Sequence, residues 1–271
     1  MTSFPLEQNV DAPNPYGSND VGFIAKHAHA VLAAVMASDL PAGASILDMG
    51  SGWGLSSEVM AFCGAKVTPV DINPDFVELN RRRAARLGLT SMTPIHSAFD
   101  TFETDSRFDL ILFYECLHHS VRPWETLARV APFVNPGGKI AFAGEPINDA
   151  WPTWGLRRDP LSVYCIRKFG WFESGWSASF ITRAFERAGF TLNLIPGIGL
   201  DGGLIGVATS MIPAVPATPL RATAPENLHA PSSDRTKELA DRVSAMERST
   251  SWRVTAPLRS MKTRIDAIFR S

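Results

Sequence analysis

The chain is short of the residues that build covalent or metal frameworks. Its 271 residues hold three cysteines, Cys63, Cys116 and Cys165, far apart and never in Cys-x-x-Cys spacing. That excludes a disulfide scaffold and a cysteine zinc site, and it fits a reducing cytoplasm. No apolar run reaches the roughly 18 to 20 residues that span a bilayer. The N-terminus lacks a basic segment followed by an apolar one, so no secretory leader is expected. An excess of one charge is also missing: 26 Lys and Arg face 27 Asp and Glu, a net charge of −1. Whole-molecule electrostatics therefore argue neither for nor against nucleic acid, and no nucleic-acid partner is expected. What remains is ordinary for a folded α/β protein, with 45% hydrophobic and 20% charged residues and length for one substantial domain plus an appendage.

The most informative stretch is Ile46 to Gly54, Ile-Leu-Asp-Met-Gly-Ser-Gly-Trp-Gly. A buried-type strand ends in Asp48, three glycines alternate, and Leu55 to Phe62 resumes as a helix. Glycines at these positions allow a sharp turn and leave no Cβ between a ligand and the main chain. Val67 to Asp71 is a second apolar run ending in an acid, where a βαβ unit holds the ribose hydroxyls of a nucleoside. A dinucleotide binder wants a small residue at the sixth motif position, where this chain has Leu55. Asp48, two residues before the first glycine, suits a cationic ligand group and opposes a pyrophosphate. Both features argue against a nicotinamide oxidoreductase.

Residues 1–20, rich in Pro, Asn and Gly, are expected to form an irregular arm. The spacing predicts a helix from Val21 to about Ser38, capped by Asn19 or Asp20. Strands are predicted at Ser45–Met49, Lys66–Val70, Met92–His96, Phe108–Tyr114 and Lys139–Ala143. A helix opens at Asn73-Pro74 and stops at Gly88, and another covers Trp124–Val134. This alternation predicts a doubly wound, mostly parallel sheet with ligands beyond the strands' carboxyl ends. Phe190–Ile195 and Leu204–Ala208 are expected to pair as its last strands. The rhythm breaks at 146–176, an insert rich in aromatic and basic residues. The main domain is thus expected at 21–210. A linker with five prolines follows at 211–233, and a helical basic tail at 234–271.

The Asp-x-Gly-x-Gly-x-Gly pattern with Asp71 downstream resembles motif I and the ribose-binding acid of class I S-adenosylmethionine (SAM) methyltransferases. The Asn135-Pro136-Gly137-Gly138-Lys139 turn resembles the one before strand five of that class. The resemblance implies a Rossmann-like fold with a seven-stranded sheet, and SAM as cofactor. It places Gly50 and Gly52 along the methionine and ribose portion and Asp71 on the ribose hydroxyls. Ala98, Phe99 and Asp100 follow strand three, where adenine is bracketed, and Trp53 walls the methionine end. Asp48, Gly54, Ile72 and Tyr114 complete the expected cofactor set.

Methyl transfer to an alcohol needs positioning and a base within reach of the leaving proton. Strand four ends Tyr-Glu-Cys-Leu-His-His, so His119 is the expected base and His118 the alternate. Glu115 and Glu145 are the carboxylates expected to orient the imidazole. Glu115, His119 and Glu145 could also hold a divalent metal, but their spacing is not diagnostic and none is expected. His27, His29 and His96 read as packing or solvated residues, with His27 reaching the site only if the first helix caps it. In the insert, Arg157, Arg158, Tyr164, Arg167 and Trp171 suggest a flat-faced, anionic acceptor.

The insert resembles one in methyltransferases that accompany glycan enzymes. The tail motif at Ser249–Arg259 resembles one appended to bacterial glycosyltransferases. These likenesses imply O-methylation of a sugar on a nucleotide- or lipid-linked bacterial glycan in polysaccharide biosynthesis. They imply a cytoplasmic enzyme whose tail associates with partner enzymes or the inner membrane face, with a coiled-coil homodimer as the other reading of the tail. The alternatives are a methyltransferase of a quinone or other small aromatic, and a non-catalytic SAM-binding scaffold protein.

Overall fold

A computed structural model describes residues 6–11, 20–197 and 203–211. The chain divides into two compact units, Met1–Pro216 and Ala217–Ser271. The second unit lies outside the described residues, as do the expected helical tail and all but the first residue of the expected linker. Within the arm expected to be irregular, Leu6–Asp11 forms a helix, α1.

The seven-stranded, mostly parallel sheet anticipated from sequence is present, in the order β3-β2-β1-β4-β5-β9-β8. Its strands are β1 (Ser45–Met49), β2 (Lys66–Asp71), β3 (Ile95–His96), β4 (Phe108–Tyr114), β5 (Val134–Ala143), β8 (Phe190–Pro196) and β9 (Leu204–Ser210). β1 to β5 pair in parallel, and β9 runs antiparallel to both β5 and β8. β4 is central and buried on both faces, which is why it reads as an unbroken apolar run. Ile111 and Phe113 enter one core cluster and Leu110, Leu112 and Tyr114 the other.

Helices α2 (Val21–Ala37), α3 (Leu55–Phe62), α4 (Pro74–Leu87), α5 (Pro123–Val130) and α7 (Ala178–Arg187) flank the sheet. α2 buries Ala30, Val31 and Ala34 at helical spacing, and Asp20 caps it by accepting from the Gly22 N–H at 2.8 Å. α4 starts as predicted, with Asn73 as its cap and Pro74 at the first position, and ends on Gly88 in the left-handed region.

Two strands differ from expectation. β5 begins at Val134, not Lys139, because Asn135 to Gly138 form an irregularity in the strand where the pairing with β4 shifts register. A Cβ on Gly138 would meet the Phe108 carbonyl at 2.9 Å, so a close backbone approach requires the glycine. β3 shrinks to two residues, with Met92 contributing only an isolated bridge to Val67. The insert is ordered: β6 (Trp154–Leu156) and β7 (Ser174–Trp176) form an antiparallel ribbon around α6 (Pro160–Phe169). Among the described residues no helix is long and apolar enough to cross a membrane.

Candidate active site

The glycine turn after β1 uses its three glycines in three different ways. All have positive φ, at 69° for Gly50, 48° for Gly52 and 83° for Gly54. A Cβ on Gly50 would meet Cys116 Cβ at 2.7 Å, so this glycine lets the β4 segment pack close. A Cβ on Gly54 would lie 2.0 Å from Asn80 Oδ1. Asn80 belongs to α4, and its Nδ2 donates to the Gly52 and Phe76 carbonyls at 2.9 and 2.8 Å. Gly54 therefore admits no side chain, because Asn80 fills that space. Among the described residues nothing lies within 4 Å of a Cβ built on Gly52, so this is where a ligand can lie against the main chain.

Asp48 departs from expectation. Its Oδ2 accepts from the Ser56 and Ser57 hydroxyls at 2.7 and 2.5 Å. That ties the end of β1 to the first turn of α3, and the carboxyl is buried. Burial pushes its pKa up to about 6, against the pull of both serines. Asp71, at the tip of β2, accepts from the Gly52 and Asn73 N–H groups at 2.8 Å each, one on each oxygen. The Ile72 N–H contributes as well, which leaves acceptor capacity on the carboxylate for a further donor such as a ribose hydroxyl. Beside it Ile72 is 69% exposed, an apolar face held by His96 Nε2 at 2.9 Å from the Ile72 carbonyl. Phe99 packs edge-on against Phe113 and lies near Gly50, with Ala98 preceding it. Trp53 leans on Phe76 of α4. Tyr114, buried at the end of β4, meets the ring of His27 edge-on at 4.4 Å.

Four main-chain N–H groups of the turn are already engaged. Gly50 and Ser51 donate to the Val70 carbonyl, Gly54 to that of Ser51, and Gly52 to Asp71. A pyrophosphate site needs such groups free, so the turn suits a nucleoside carrying no phosphate. The open face over Gly52, the remaining acceptor capacity of Asp71 and the exposed apolar Ile72 fit an adenosine group.

The second half of the site gathers beyond β4 and β5. Glu145 is buried, and its Oε1 accepts from the Cys116 and Leu117 N–H groups at 2.9 Å each. Its Oε2 accepts from the His118 N–H at 3.0 Å and meets His118 Nδ1 at 2.8 Å. Burial alone would raise this carboxyl, but His118 and the N–H donors hold it below the usual range. Glu145 therefore fixes His118 and the turn of 3-10 helix Leu117–His119; it does not orient His119. Glu115 packs its Cγ over Gly144 and has a backbone φ of 49°. The partner of His119 Nδ1 is the Phe172 carbonyl at 2.8 Å, supplied by the insert. An Nδ1–H donated to a carbonyl leaves the lone pair on Nε2. Burial, and then the neighbouring His118, lower the His119 pKa to about 4, so the imidazole is neutral at pH 7. For His118 burial works downward but Glu145 outweighs it, and the net shift is upward.

Sequence reasoning missed Glu173, a buried carboxylate on the insert 3.7 Å from both His118 Nε2 and His119 Nδ1. Its only sequence signal is an acid among the aromatics of the insert. His118, His119 and Glu173 can bring one donor atom each within 4.8 Å of one another. That group has metal-ligand chemistry, unlike Glu115, His119 and Glu145, whose Glu145 is fully engaged. His119 Nδ1 is taken by Phe172, however, and the Arg157 cation lies 3.9 Å from Glu173.

The insert also sorts its basic residues. Arg157 pairs with Asp159 at 3.1 Å and faces Glu173, so it is not the free anion ligand expected. Arg158 and Arg167 are exposed. Tyr164, Phe169 and Trp171 form a run of rings that ends on His119: Tyr164 to Phe169 at 6.1 Å, Phe169 stacked on Trp171 at 4.6 Å, Trp171 to His119 at 5.4 Å. Lys168 lies over the first two rings.

Comparison with known proteins agrees with this geometry. A ubiquinone biosynthesis O-methyltransferase from Xanthomonas axonopodis pv. citri (strain 306) is 37% identical over 101 residues, 37% of this chain and 42% of that protein. The chain thus matches less than half the length of that curated relative. A Haloferax volcanii methyltransferase solved in complex with the Trm112 methyltransferase activator superposes with a TM-score of 0.58. That match has 18% identity and covers 79% of this chain and all of the other. The glycopeptide N-methyltransferase MtfA, solved with SAM, gives a TM-score of 0.54 at 15% identity, covering 68% of this chain and 94% of its own. Residues 24–194 match the family described as a methyltransferase domain, and the chain belongs to that family.

Proposed function

We propose that the protein is a SAM-dependent O-methyltransferase whose acceptor is the hydroxyl of a flat aromatic small molecule, of the kind found in quinone biosynthesis. The observation that carries this reading is His119, held by the Phe172 carbonyl with Nε2 unprotonated and with Trp171 beside its ring. When bound, SAM supplies an electrophilic methyl group. The open face over Gly52, Asp71 and Ile72 would hold it. The chain's own work is to place the acceptor against the rings of Trp171 and Phe169 and to take its proton on His119 Nε2.

The strength of this base helps choose the acceptor. An imidazole with a pKa of about 4 is a weak base, and proton transfer to it from an ordinary alcohol, near water at roughly 16, is steeply uphill. A phenol, at about 10, is a far better match. The relative named for ubiquinone biosynthesis supports the same side. The sugar-nucleotide reading, in contrast, drew on Arg157, Arg158 and Arg167, and of these Arg157 is tied to Asp159 and Glu173.

The test is to incubate the protein with SAM and either a catechol-type phenol or a nucleotide sugar and to look by mass spectrometry for an added CH₂. Methylation of the phenol alone, lost in His119→Gln with S-adenosylhomocysteine binding retained, is expected. Methylation of the sugar alone would overturn the acceptor assignment. Cofactor binding with no turnover on any hydroxyl acceptor would favour the scaffold alternative.

A further inference from the structure

The reaction proposed above leaves one buried carboxylate of the site without a task. Glu173 is 5% exposed, and burying a carboxylate is unfavourable unless positive charge stands around it. Three nitrogens face it: His118 Nε2 and His119 Nδ1 at 3.7 Å and Arg157 Nη1 at 3.9 Å. All three are long for a hydrogen bond. Burial raises the Glu173 pKa, while His118 and Arg157 pull it down.

The backbone on both sides of Glu173 is fastened to the segment after β4. The Phe172 carbonyl accepts from His119 Nδ1–H at 2.8 Å, and the Ser174 hydroxyl donates to the His118 carbonyl at 2.7 Å. The Glu173 carbonyl itself accepts from the Arg157 N–H at 2.9 Å. The side chain of Glu173 is therefore anchored over the two histidines, and it cannot leave them without breaking these bonds.

Charges of alternating sign run past this point. Asp159 pairs with Arg157 at 3.1 Å, Arg157 faces Glu173, Glu173 faces His118 Nε2, and His118 Nδ1 meets Glu145 at 2.8 Å. Both ring nitrogens of His118 look onto carboxylates, the surroundings of an imidazolium that donates from each. Three carboxylates then face two cations, which leaves one negative charge uncompensated beside a neutral His119. When Nε2 of His119 takes the proton of the acceptor hydroxyl, the ring carries a proton on each nitrogen. The positive charge lost at the sulfonium reappears on this ring, and the charges around it balance.

We infer that Glu173 is the positioning residue that receives the imidazolium of His119, sharing its Nδ1–H with the Phe172 carbonyl as the acceptor proton reaches Nε2. This rests on the reading of His119 as the base. A closure of about 1 Å brings the pair to the length of a charge-assisted hydrogen bond. The proton stays on Nδ1, so Glu173 supplies charge and not a path for protons.

Two acceptors test it. A catechol-type phenol has to give its proton to the protein, whereas a nitro-substituted phenol acidic enough to be ionised at the assay pH needs no base. Glu173→Gln, nearly isosteric, should lower kcat for the catechol-type phenol about ten- to a hundredfold at unchanged KM, and leave turnover of the ionised phenol unchanged. Unchanged S-adenosylhomocysteine binding reports that the variant has folded, and Glu173→Asp should recover part of the loss. His119→Gln should show the same selectivity between the acceptors, and adding Glu173→Gln to it should cost nothing further. Equal losses on both acceptors would mean that Glu173 acts only through the fold, and no loss on either would mean that the imidazolium does not use it. A further loss in the double variant would mean that Glu173 serves another group. Each of these three overturns the inference while His119 remains the base. If His119→Gln alone methylates the catechol-type phenol at the parental rate, the base assignment falls and the role of Glu173 with it. An unaltered protein that methylates neither acceptor would overturn the acceptor reading and this inference together.

Discussion

Glu145 Oε2 lies 2.8 Å from His118 Nδ1, and the other carboxylate oxygen closes on the N–H groups of Cys116 and Leu117. One side chain from the end of β5 thus anchors the whole segment that follows β4. Because four donors converge on it, Glu145→Gln would set an amide NH₂ against N–H groups and leave at least one buried donor unmatched. A loss of about 2–4 kcal/mol is expected, read by chemical denaturation. A variant as stable as the parent would show that the segment is held by other means.

The glycine turn separates fold from binding. Gly54→Ala would drive a methyl into Asn80 at a backbone φ of 83°, and should destabilise the protein by about 2–4 kcal/mol. Gly52→Ala meets open space, so only the left-handed backbone is penalised, by about 1 kcal/mol. Its methyl would occupy the ligand face, and S-adenosylhomocysteine binding should fall at least about tenfold. Equal effects of the two substitutions on both melting temperature and affinity would contradict this division.

His119→Gln should lower kcat by about 10²–10⁴ and leave cofactor affinity unchanged. Loss of cofactor affinity in parallel with kcat would mean that His119 shapes the cofactor pocket, not the proton transfer.

Trp171→Leu removes the ring that lies between Phe169 and His119. The KM for a phenolic acceptor is expected to rise about three- to tenfold, with kcat changing less. A fall in kcat at constant KM would place Trp171 at the reacting atoms instead.

His27 should register in the acid limb of stability. Burial holds its pKa at about 4, below the ordinary 6.5. As pH falls below 6.5 the unfolded chain takes up a proton that the native ring refuses. The stability associated with the neutral ring is therefore complete above 6.5 and is lost progressively toward pH 4. Between pH 7 and pH 5 the protein should lose on the order of 2 kcal/mol more than His27→Phe. Denaturation curves at the two pH values give that difference, and parallel losses would refute it.

Much of this was legible along the chain because it is local. Apolar runs, alternating glycines and terminal acids announce a βαβ unit within thirty residues, and Asn73-Pro74 and Gly88 mark the ends of α4. The same locality misled elsewhere. Asp48 looks like a ligand contact from the motif, yet its neighbours in space are Ser56 and Ser57. Arg157 looks like an anion ligand until Asp159 and Glu173 are found beside it.

By itself the sequence determined the sheet, the turn and the kind of ligand the turn can hold, since those follow from hydrophobic period and glycine spacing over short stretches of chain. Only the tertiary structure decided which group serves His119. Its Nδ1 is held by a carbonyl 53 residues away, while Glu145 binds His118 and the N–H groups beside it. Backbone carbonyls carry no signature in a sequence, because every residue has one. Which carbonyl meets an imidazole depends on how the insert folds back across β4 and β5.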